Sequence, residues 1–183
     1  MSRSVRLTLL CEDKQQRVFA HRFFKARDWN LREWKPITAP AGRGAADSFV
    51  RTEFPRQLKA LREKGDEQVF LVALIDGDAA GTHQRRRQID EACRDEGIEP
   101  PTDAERVLVC VPTWNIETWL AYLANQDVDE SVSDYPRLDG RESECQPLVE
   151  ALASMCKTGD LRCPAPSSLE AACSAFGRVF GSS

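Results

Sequence analysis

The sequence predicts an α/β fold, with a mainly parallel four-stranded sheet flanked by helices. Two nearly continuous apolar runs, 67–75 and 106–112, are typical of strands that are buried on both faces. Strand-like and helix-like segments alternate along the first two thirds of the chain, as in successive β-α-β units. The chain has 183 residues and is 42% apolar, which suits one core of substantial size.

The first predicted β-α-β unit occupies residues 5–38. The run VRLTLLC (5–11) is apolar and β-prone, which predicts a first strand. Apolar residues recur at helical spacing within 14–28, which predicts an amphipathic helix. Residues 30–38 predict a second strand at the edge of the sheet, because Pro36 cannot donate a ladder hydrogen bond.

A loop of small residues at 39–47 separates this unit from the rest of the sheet. Residues 48–65 predict a helix that ends at Gly65, with Pro55 marking its start or a kink. The pattern then continues with a strand at 67–75, a charged helix at 81–97, a strand at 106–112 and a helix at 115–126.

The last third of the chain has a different character. Residues 127–142 are acidic and rich in turn-forming residues, which indicates a linker or a surface loop. Residues 143–157 and 167–180 have helical patterns and predict a small helical C-terminal addition. We therefore expect an α/β catalytic domain at 5–126, followed by an acidic linker and helical addition at 127–183.

Charge is distributed unevenly, although the net charge is only −4. Residues 1–64 contain 15 Lys and Arg against 7 Asp and Glu, whereas residues 65–183 contain 10 against 22. The basic part could face a polyanion such as nucleic acid. It could equally be one solvated face of a globular protein.

The cysteines and the hydropathy pattern exclude several classes of protein. Seven cysteines without a CxxC pair or Cys/His ligand spacing argue against a zinc site. No run approaches eighteen apolar residues, so we expect no membrane span. An odd number of cysteines, several of them within apolar runs, indicates the reducing cytoplasm.

Acidic residues follow the ends of three predicted strands. Glu12 follows the first strand, Asp76 and Asp78 follow the strand at 67–75, and Glu117 lies in the first turn of the helix after the last strand. The carboxyl ends of parallel strands share one edge of a sheet, so these side chains should lie close together. Oxygen ligands without His or Cys suit Mg²⁺ or Mn²⁺, and a metal site is predicted at this edge.

The spacing of the two aspartates also favours a shared ion. Residues i and i+2 of an extended segment point to the same side, so Asp76 and Asp78 could reach one cation, with Gly77 allowing the chain to turn. The alternative is that Asp76 ends the strand and Asp78 caps the next helix. The presence of Glu12 and Glu117 at the same edge favours the metal site.

Three motifs together resemble the Toprim domain, the metal-binding module of bacterial primases, type IA and type II topoisomerases and OLD-family nucleases. They are LTLLCED with Glu12, VALIDGDAAG with the two aspartates, and VPTWNIETWLAYL with Glu117. The third motif is similar to a segment of small stand-alone OLD-related Toprim-like proteins found among phage-defence genes. The resemblance covers about residues 5–125, and the DGDxAG piece is its most specific part.

Two positions depart from the Toprim pattern. Asp13 stands where Gly usually follows the first Glu, and Gln16 stands where OLD-type nucleases often carry a further acidic residue. Both differences bear on the number of metal ions that the site could hold, and much less on the fold.

The resemblance implies a Mg²⁺- or Mn²⁺-dependent nuclease that hydrolyses phosphodiester bonds in DNA. Glu12 would be a metal ligand or a general acid/base, Asp76 and Asp78 would bind the ion, and Glu117 would complete a second site. It also implies an effector subunit of an anti-phage or anti-plasmid defence complex, with a partner such as an ATPase encoded nearby.

Other residues have weaker support. Asp13, Lys14 and His83 are accessory candidates beside the acidic cluster. Four arginines are candidates for contact with the nucleic-acid backbone: Arg43 in the GRG loop, and Arg85, Arg86 and Arg87 in HQRRR. The loop could be merely flexible, and the helical arginines could be a solvated face, because Asp90 and Glu91 lie within one turn.

Two other readings of the sequence remain. One is a catalytically silent Toprim-like subunit with a structural or regulatory role in a larger nucleic-acid-associated complex, which the departures at Asp13 and Gln16 favour. The other is a Rossmann-like or phosphatase-type enzyme for a small phosphorylated molecule. It is disfavoured because no GxGxxG follows the first strand and no nucleophilic Asp with a downstream Lys is evident.

Overall fold

Four parallel strands form the sheet of the protein, in a computed structural model that describes residues 3–40 and 46–181. Its strand order is β2-β1-β3-β4, and all three pairings are parallel. The predicted α/β class is confirmed, as is the edge position of the strand that contains Pro36. The strands are β1 (Arg3–Cys11), β2 (Trp29–Thr38), β3 (Val69–Leu74) and β4 (Val107–Cys110).

Six α-helices accompany the sheet within the described residues, and each corresponds to a predicted helix. Their ends differ from the prediction by three residues at most, as expected for boundaries read from periodicity. Pro55 lies inside its helix rather than at the start. The helices are α1 (Lys14–Ala26), α2 (Ala46–Lys64), α3 (Gly81–Asp95), α4 (Ile116–Leu123), α5 (Gln146–Thr158) and α6 (Ser167–Phe180).

The sheet is buried on both faces, which explains the continuous apolar runs. Successive strand residues point to opposite faces, so Phe70, Val72 and Leu74 of β3 join one core, and Leu71 and Ala73 join the other. The first core is closed by α1, α4, α5 and α6, and the second by α2 and α3. The protein is therefore a three-layer sandwich with unequal outer layers.

The C-terminal helices belong to the larger of these two cores. Phe180 of α6 stacks on Phe70 of β3 with ring centroids 4.6 Å apart, and Phe176 meets Phe24 of α1 at 5.8 Å. Residues beyond 126 thus supply part of the cover of the sheet. The proposed division at residue 126 remains a prediction from composition.

A disulfide joins Cys156 of α5 to Cys173 of α6. The cysteine spacing gave no indication of this pair. Disulfides are uncommon in cytosolic proteins, so the cytoplasmic location predicted from the cysteines gains no support from it. Among the described residues, no helix is both long and apolar enough to cross a membrane.

The strand order places a topological switch point, where a ligand-binding crevice is expected, at the carboxyl ends of β1 and β3. These strands are neighbours, but the helices that follow them, α1 and α3, lie on opposite faces of the sheet. The two connections therefore diverge and leave a gap between them, which is where open parallel sheets bind ligands. Glu12 and Asp76 come from these two strand ends.

Candidate functional site

Glu12 and Asp76 meet in this crevice. Leu74 and Cys11 are the last paired residues of β3 and β1, and the two acids follow within two positions. The Asp76 N–H donates to Glu12 Oε1 at 2.9 Å. The predicted contact between the first and third strand ends is present in the structure.

Gln16 of α1 binds both acids. Its side chain is completely buried, its Nε2 donates to Asp76 Oδ1 at 2.8 Å, and its Oε1 accepts the Glu12 N–H at 2.8 Å. Asp13 caps α1 by accepting the Gln16 N–H at 2.8 Å, which fixes the turn that carries this glutamine. A neutral amide can bridge a carboxylate and a backbone donor, whereas an acid at position 16 would add to the repulsion.

The DGD loop is held against the segment between β4 and α4. Gly77 N–H donates to Pro112 O at 2.9 Å, and Asp78 N–H donates to Trp114 O at 2.8 Å. A Cβ at residue 77 would lie 2.7 Å from Pro112 O, so this close approach admits only glycine.

Asp78 does not have the extended backbone expected from the DxD spacing. Its φ is +45°, in the left-handed region that residues with a side chain seldom adopt, and Trp114 opposite has a φ of +61°. The turn that Gly77 was expected to allow thus extends to Asp78, because the hydrogen bonds to residues 112 and 114 bend the chain there. Such unusual backbone conformations cluster at functional sites.

Arg85 of α3 binds the DGD loop through its guanidinium group. Its side chain is 6% exposed, and its Nη2 donates to Asp78 Oδ2 at 3.2 Å. Its Nε donates to the backbone O of Asp76 at 2.9 Å, and its Nη1 to Asp47 Oδ2 at 2.5 Å and Gln88 Oε1 at 3.0 Å. A guanidinium held by four acceptors is not available to a DNA phosphate, so the prediction for Arg85 is corrected to an anchoring role.

Glu117 enters the site from the first turn of α4 and is only 5% exposed. Burial raises the pKa of its carboxyl above the usual range, its own backbone N–H and Arg137 oppose this shift, and Asp13 adds to it. Glu117 in turn raises the pKa of Asp76. The helix therefore brings a third carboxylate within electrostatic range of the crevice.

The acids of the site destabilise one another's charged forms. Burial is the main cause that raises the pKa of Asp76 well above its usual range, followed by the charges of Glu12, Asp13 and Glu117. Burial also raises the pKa of Glu12 to about 7, with Asp78 and Asp47 contributing, although the Asp76 N–H lowers it. A site with this electrostatic imbalance is suited to bind a cation.

We expect the metal-free protein to lose stability as the pH rises from 4.5 towards 7. The pKa of Glu12 is about 7 in the folded protein and 4.5 in the unfolded chain. Between these two pH values the folded protein keeps a proton on Glu12 that the unfolded chain has released. The contribution is complete below pH 4.5 and is lost by about pH 7, and it amounts to about 3 kcal/mol. Urea unfolding in EDTA at a series of pH values would measure it.

Glu12→Gln should make this part of the pH profile less steep, because the amide does not titrate, while Asp76 and Glu117 keep raised pKa values. Glu91→Gln, at an exposed position of α3, is the matched control and should leave the profile unchanged. Parallel profiles for wild type and Glu12→Gln would show that Glu12 does not titrate with a raised pKa.

The other predicted residues lie around this centre. Asp13 is the α1 cap described above, and Lys14 Nζ donates to Glu142 Oε2 at 2.9 Å. Arg86 donates to the backbone O of Val109 at 2.5 Å, whereas His83 and Arg87 are exposed on α3. Arg43 lies outside the described residues.

Three residues of the site had no role in the sequence prediction of the metal centre. Asp47 at the start of α2 is held by Arg85 and by Arg51 at 2.9 Å, and its charge reaches Glu12. Gln16 was visible only as a departure from the Toprim pattern, and Asn115 only as a neighbour of Glu117. Asp47 could not be placed from spacing because it comes from a distant helix, and the contact of Gln16 with Asp76 depends on how α1 packs against the end of β3.

The oxygen donors of the site are of the type that binds a hard divalent cation, although they do not surround a common position. Glu12, Asp76 and Glu117 carry pKa values raised partly by nearby negative charge, an effect that a bound cation would reverse. Within residues 3–40 and 46–181, no group of three or more His, Cys, Asp or Glu side chains is arranged to hold a metal ion. The donor chemistry suits Mg²⁺ or Mn²⁺, but the structure does not place three of these side chains where they could hold one ion together.

Comparisons with protein-family models, with curated proteins and with solved structures find no match for this chain. The Toprim resemblance rests on the three sequence motifs, and the fold that carries them is an α/β sandwich with a parallel sheet.

Proposed function

We propose that this protein is a Mg²⁺- or Mn²⁺-dependent nuclease that hydrolyses phosphodiester bonds in DNA. The observation that carries the proposal is the contact between Glu12 and Asp76 at the neighbouring ends of β1 and β3, with Asp78 and Glu117 close enough for their charges to act on this pair. Buried carboxylates that raise one another's pKa values destabilise the metal-free protein, and a bound cation would compensate their charges. The Toprim-like motifs that contain the same four residues support nucleic acid as the substrate.

Each acid has a distinct part in the proposed reaction. Asp76, Asp78 and Glu117 would hold the cation, while Glu12 would join them or accept the proton of the attacking water. A bound Mg²⁺ or Mn²⁺ would supply neutralisation of the phosphate and a water of lowered pKa. Gln16 and Arg85 would orient the acids, because each hydrogen bonds to one carboxylate oxygen and leaves the other oxygen for a ligand.

Cleavage of supercoiled and linear DNA, with Mg²⁺, with Mn²⁺ and with EDTA, tests this function. The expected result is metal-dependent cutting by the wild type and none by the double variant Asp76→Asn/Asp78→Asn. Asp95→Asn, at an exposed position near the end of α3, is the matched control and should cut normally. Cutting that persists in the double variant would assign the activity to another site or to a contaminant.

A catalytically silent subunit is the second candidate function. The observation that favours it is the arrangement of the acids, which are bridged by Gln16 and Arg85 and do not converge on a metal position among the described residues. A Mn²⁺ titration separates the two candidates. Absence of metal binding together with absence of cleavage would leave a structural or regulatory subunit.

We further propose that the nuclease acts with a partner, such as an ATPase encoded beside it, in defence against phage or plasmids. The support is the similarity of the Glu117 motif to small OLD-related proteins found among phage-defence genes. Co-purification with the products of neighbouring genes, followed by the same cleavage assay, would test it. A partner that neither binds nor changes the cleavage rate would count against this part of the proposal.

A further inference from the structure

Helix α1 has an unusual charge composition, because it contains basic residues but no Asp or Glu. Four of its 13 residues are lysine or arginine, namely Lys14, Arg17, Arg22 and Lys25. A helix surface that is merely solvated usually mixes both signs, as α3 does with Asp90 and Glu91 among its arginines. The net charge of the whole chain is −4, so this excess of positive charge is a local property of α1.

Three of these four cations have no ion-pair partner among the described residues. Lys14 pairs with Glu142. No salt bridge in the described part of the chain includes Arg17, Arg22 or Lys25. Helix α2 provides the contrast, because four of its cations each pair with a carboxylate: Arg51, Arg56, Lys59 and Arg62. The basic charge of the N-terminal part of the chain is therefore largely neutralised on α2 and uncompensated on α1.

The three unpaired cations, Arg17, Arg22 and Lys25, form what we call the basic face of α1. All three are at least partly exposed, and the opposite side of the helix is buried in the core through residues such as Phe23. Burial lowers the pKa of His21, which lies among them, and the charges of Lys25 and Arg22 lower it further. The positive charge on this side of α1 is thus strong enough to disfavour a further proton.

The basic face begins beside the acidic site. Gln16 donates to Asp76 Oδ1 at 2.8 Å, and Arg17 is the next residue of the same helix. Burial raises the pKa of the Cys11 thiol at the end of β1, and the charge of Arg17 is among the effects that oppose this shift. From Arg17 to Lys25 the helix rises about 12 Å, so the cations extend from the edge of the site away from the acids.

We propose that the basic face of α1 binds the phosphate backbone of DNA and holds a strand beside the acidic site. This inference rests on the proposed function for the identity of the polyanion. The acids repel phosphates, so a strand that reaches them needs cations close by. An anionic membrane is a less suitable partner, because the phenylalanines of α1 are buried in the core and cannot enter lipid.

Fluorescence anisotropy of a labelled DNA duplex, titrated with the full chain in EDTA, tests the inference in the absence of cleavage. Arg17→Gln/Lys25→Gln should lower the steepness with which log affinity falls with log salt by about 2, one for each lost phosphate contact. Lys59→Gln/Lys64→Gln is the matched control, since it removes the same charge from exposed positions of α2, on the other face of the sheet. The control should bind DNA like the wild type, and melting curves would check that both variants fold.

Three results would show that the inference is wrong. They are a wild type that binds no DNA, an α1 variant that binds DNA like the wild type, and equal losses of affinity in the two double variants. Vesicles that contain phosphatidylserine are a second probe, and binding to these vesicles but not to DNA would assign the basic face to a membrane and overturn the inference.

The fate of the inference is separable from that of the nuclease. DNA binding through α1 in EDTA, without cleavage in Mg²⁺ or Mn²⁺, would support the inference and count against the nuclease. Metal-dependent cleavage with the same KM and the same rate in the wild type and the α1 variant would retain the nuclease and remove the inference alone.

Discussion

Replacing Asp76 by asparagine should make the metal-free protein more stable and make it insensitive to Mn²⁺. The pKa of Asp76 is raised by burial and by Glu12, Asp13 and Glu117, so its charge costs stability near neutral pH. Asparagine removes that charge with little change of shape and keeps an Oδ1 for the Gln16 amide. We therefore expect a gain in stability and a higher melting temperature at pH 8 in EDTA.

The same substitution should abolish stabilisation by the metal. At a free cation concentration of a hundred times the dissociation constant, binding raises the free energy of unfolding of the wild type by about 2.7 kcal/mol. The variant lacks a central ligand, so its stability should hardly change. Melting curves with EDTA and with Mn²⁺ measure both effects in one series. Asp95→Asn serves as control and should melt like the wild type under both conditions. A variant that is less stable without metal, or that still gains stability from Mn²⁺, would contradict the assignment of Asp76.

The fold could be predicted because its signals are local. The apolar run at 67–75 requires burial on both faces, and the structure provides it with α2 and α3 on one side and the remaining helices on the other. Pro36 predicted an edge strand because proline cannot donate a ladder hydrogen bond, which is true whatever the rest of the fold. The strand order was not predicted, because it depends on which pairs of strands bury the most surface.

The sequence predicted only some of the residues of the site. Glu12 and Asp76 could be brought together because parallel strands end at one edge, but the groups that hold them come from other elements. Gln16 and Arg85 each have ordinary positions on helices, and only the packed structure shows that their side chains end on these acids. The bend at Asp78 depends on two carbonyl groups some 35 residues further along the chain, which no local pattern encodes.

Replacing Arg85 by methionine should produce the largest loss of stability among the substitutions considered. The change leaves the Asp47 carboxylate, with a side chain 14% exposed, without its shortest ion pair, and it leaves the Asp76 carbonyl without a donor. Removal of one partner from a buried ion pair typically costs about 3–5 kcal/mol, and we expect a loss at the lower end of this range because Arg51 still pairs with Asp47. Asp78 contributes less, since its side chain is 56% exposed and can be hydrated. Urea unfolding at pH 7 measures the loss.

Two further variants separate charge from geometry at Arg85. Arg85→Lys keeps the charge but loses the planar fork that reaches four acceptors, so it should recover only part of the stability. Adding Asp47→Asn to Arg85→Met removes a carboxylate that would be left with Arg51 as its remaining ion-pair partner, and should restore about 1–2 kcal/mol. Arg87→Met, two residues along the same helix and exposed, is the control and should change stability by less than about 0.5 kcal/mol. A loss for Arg85→Met as small as that of the control would contradict this prediction. It would mean that the backbone contacts to residues 112 and 114 hold the loop without help from the buried guanidinium.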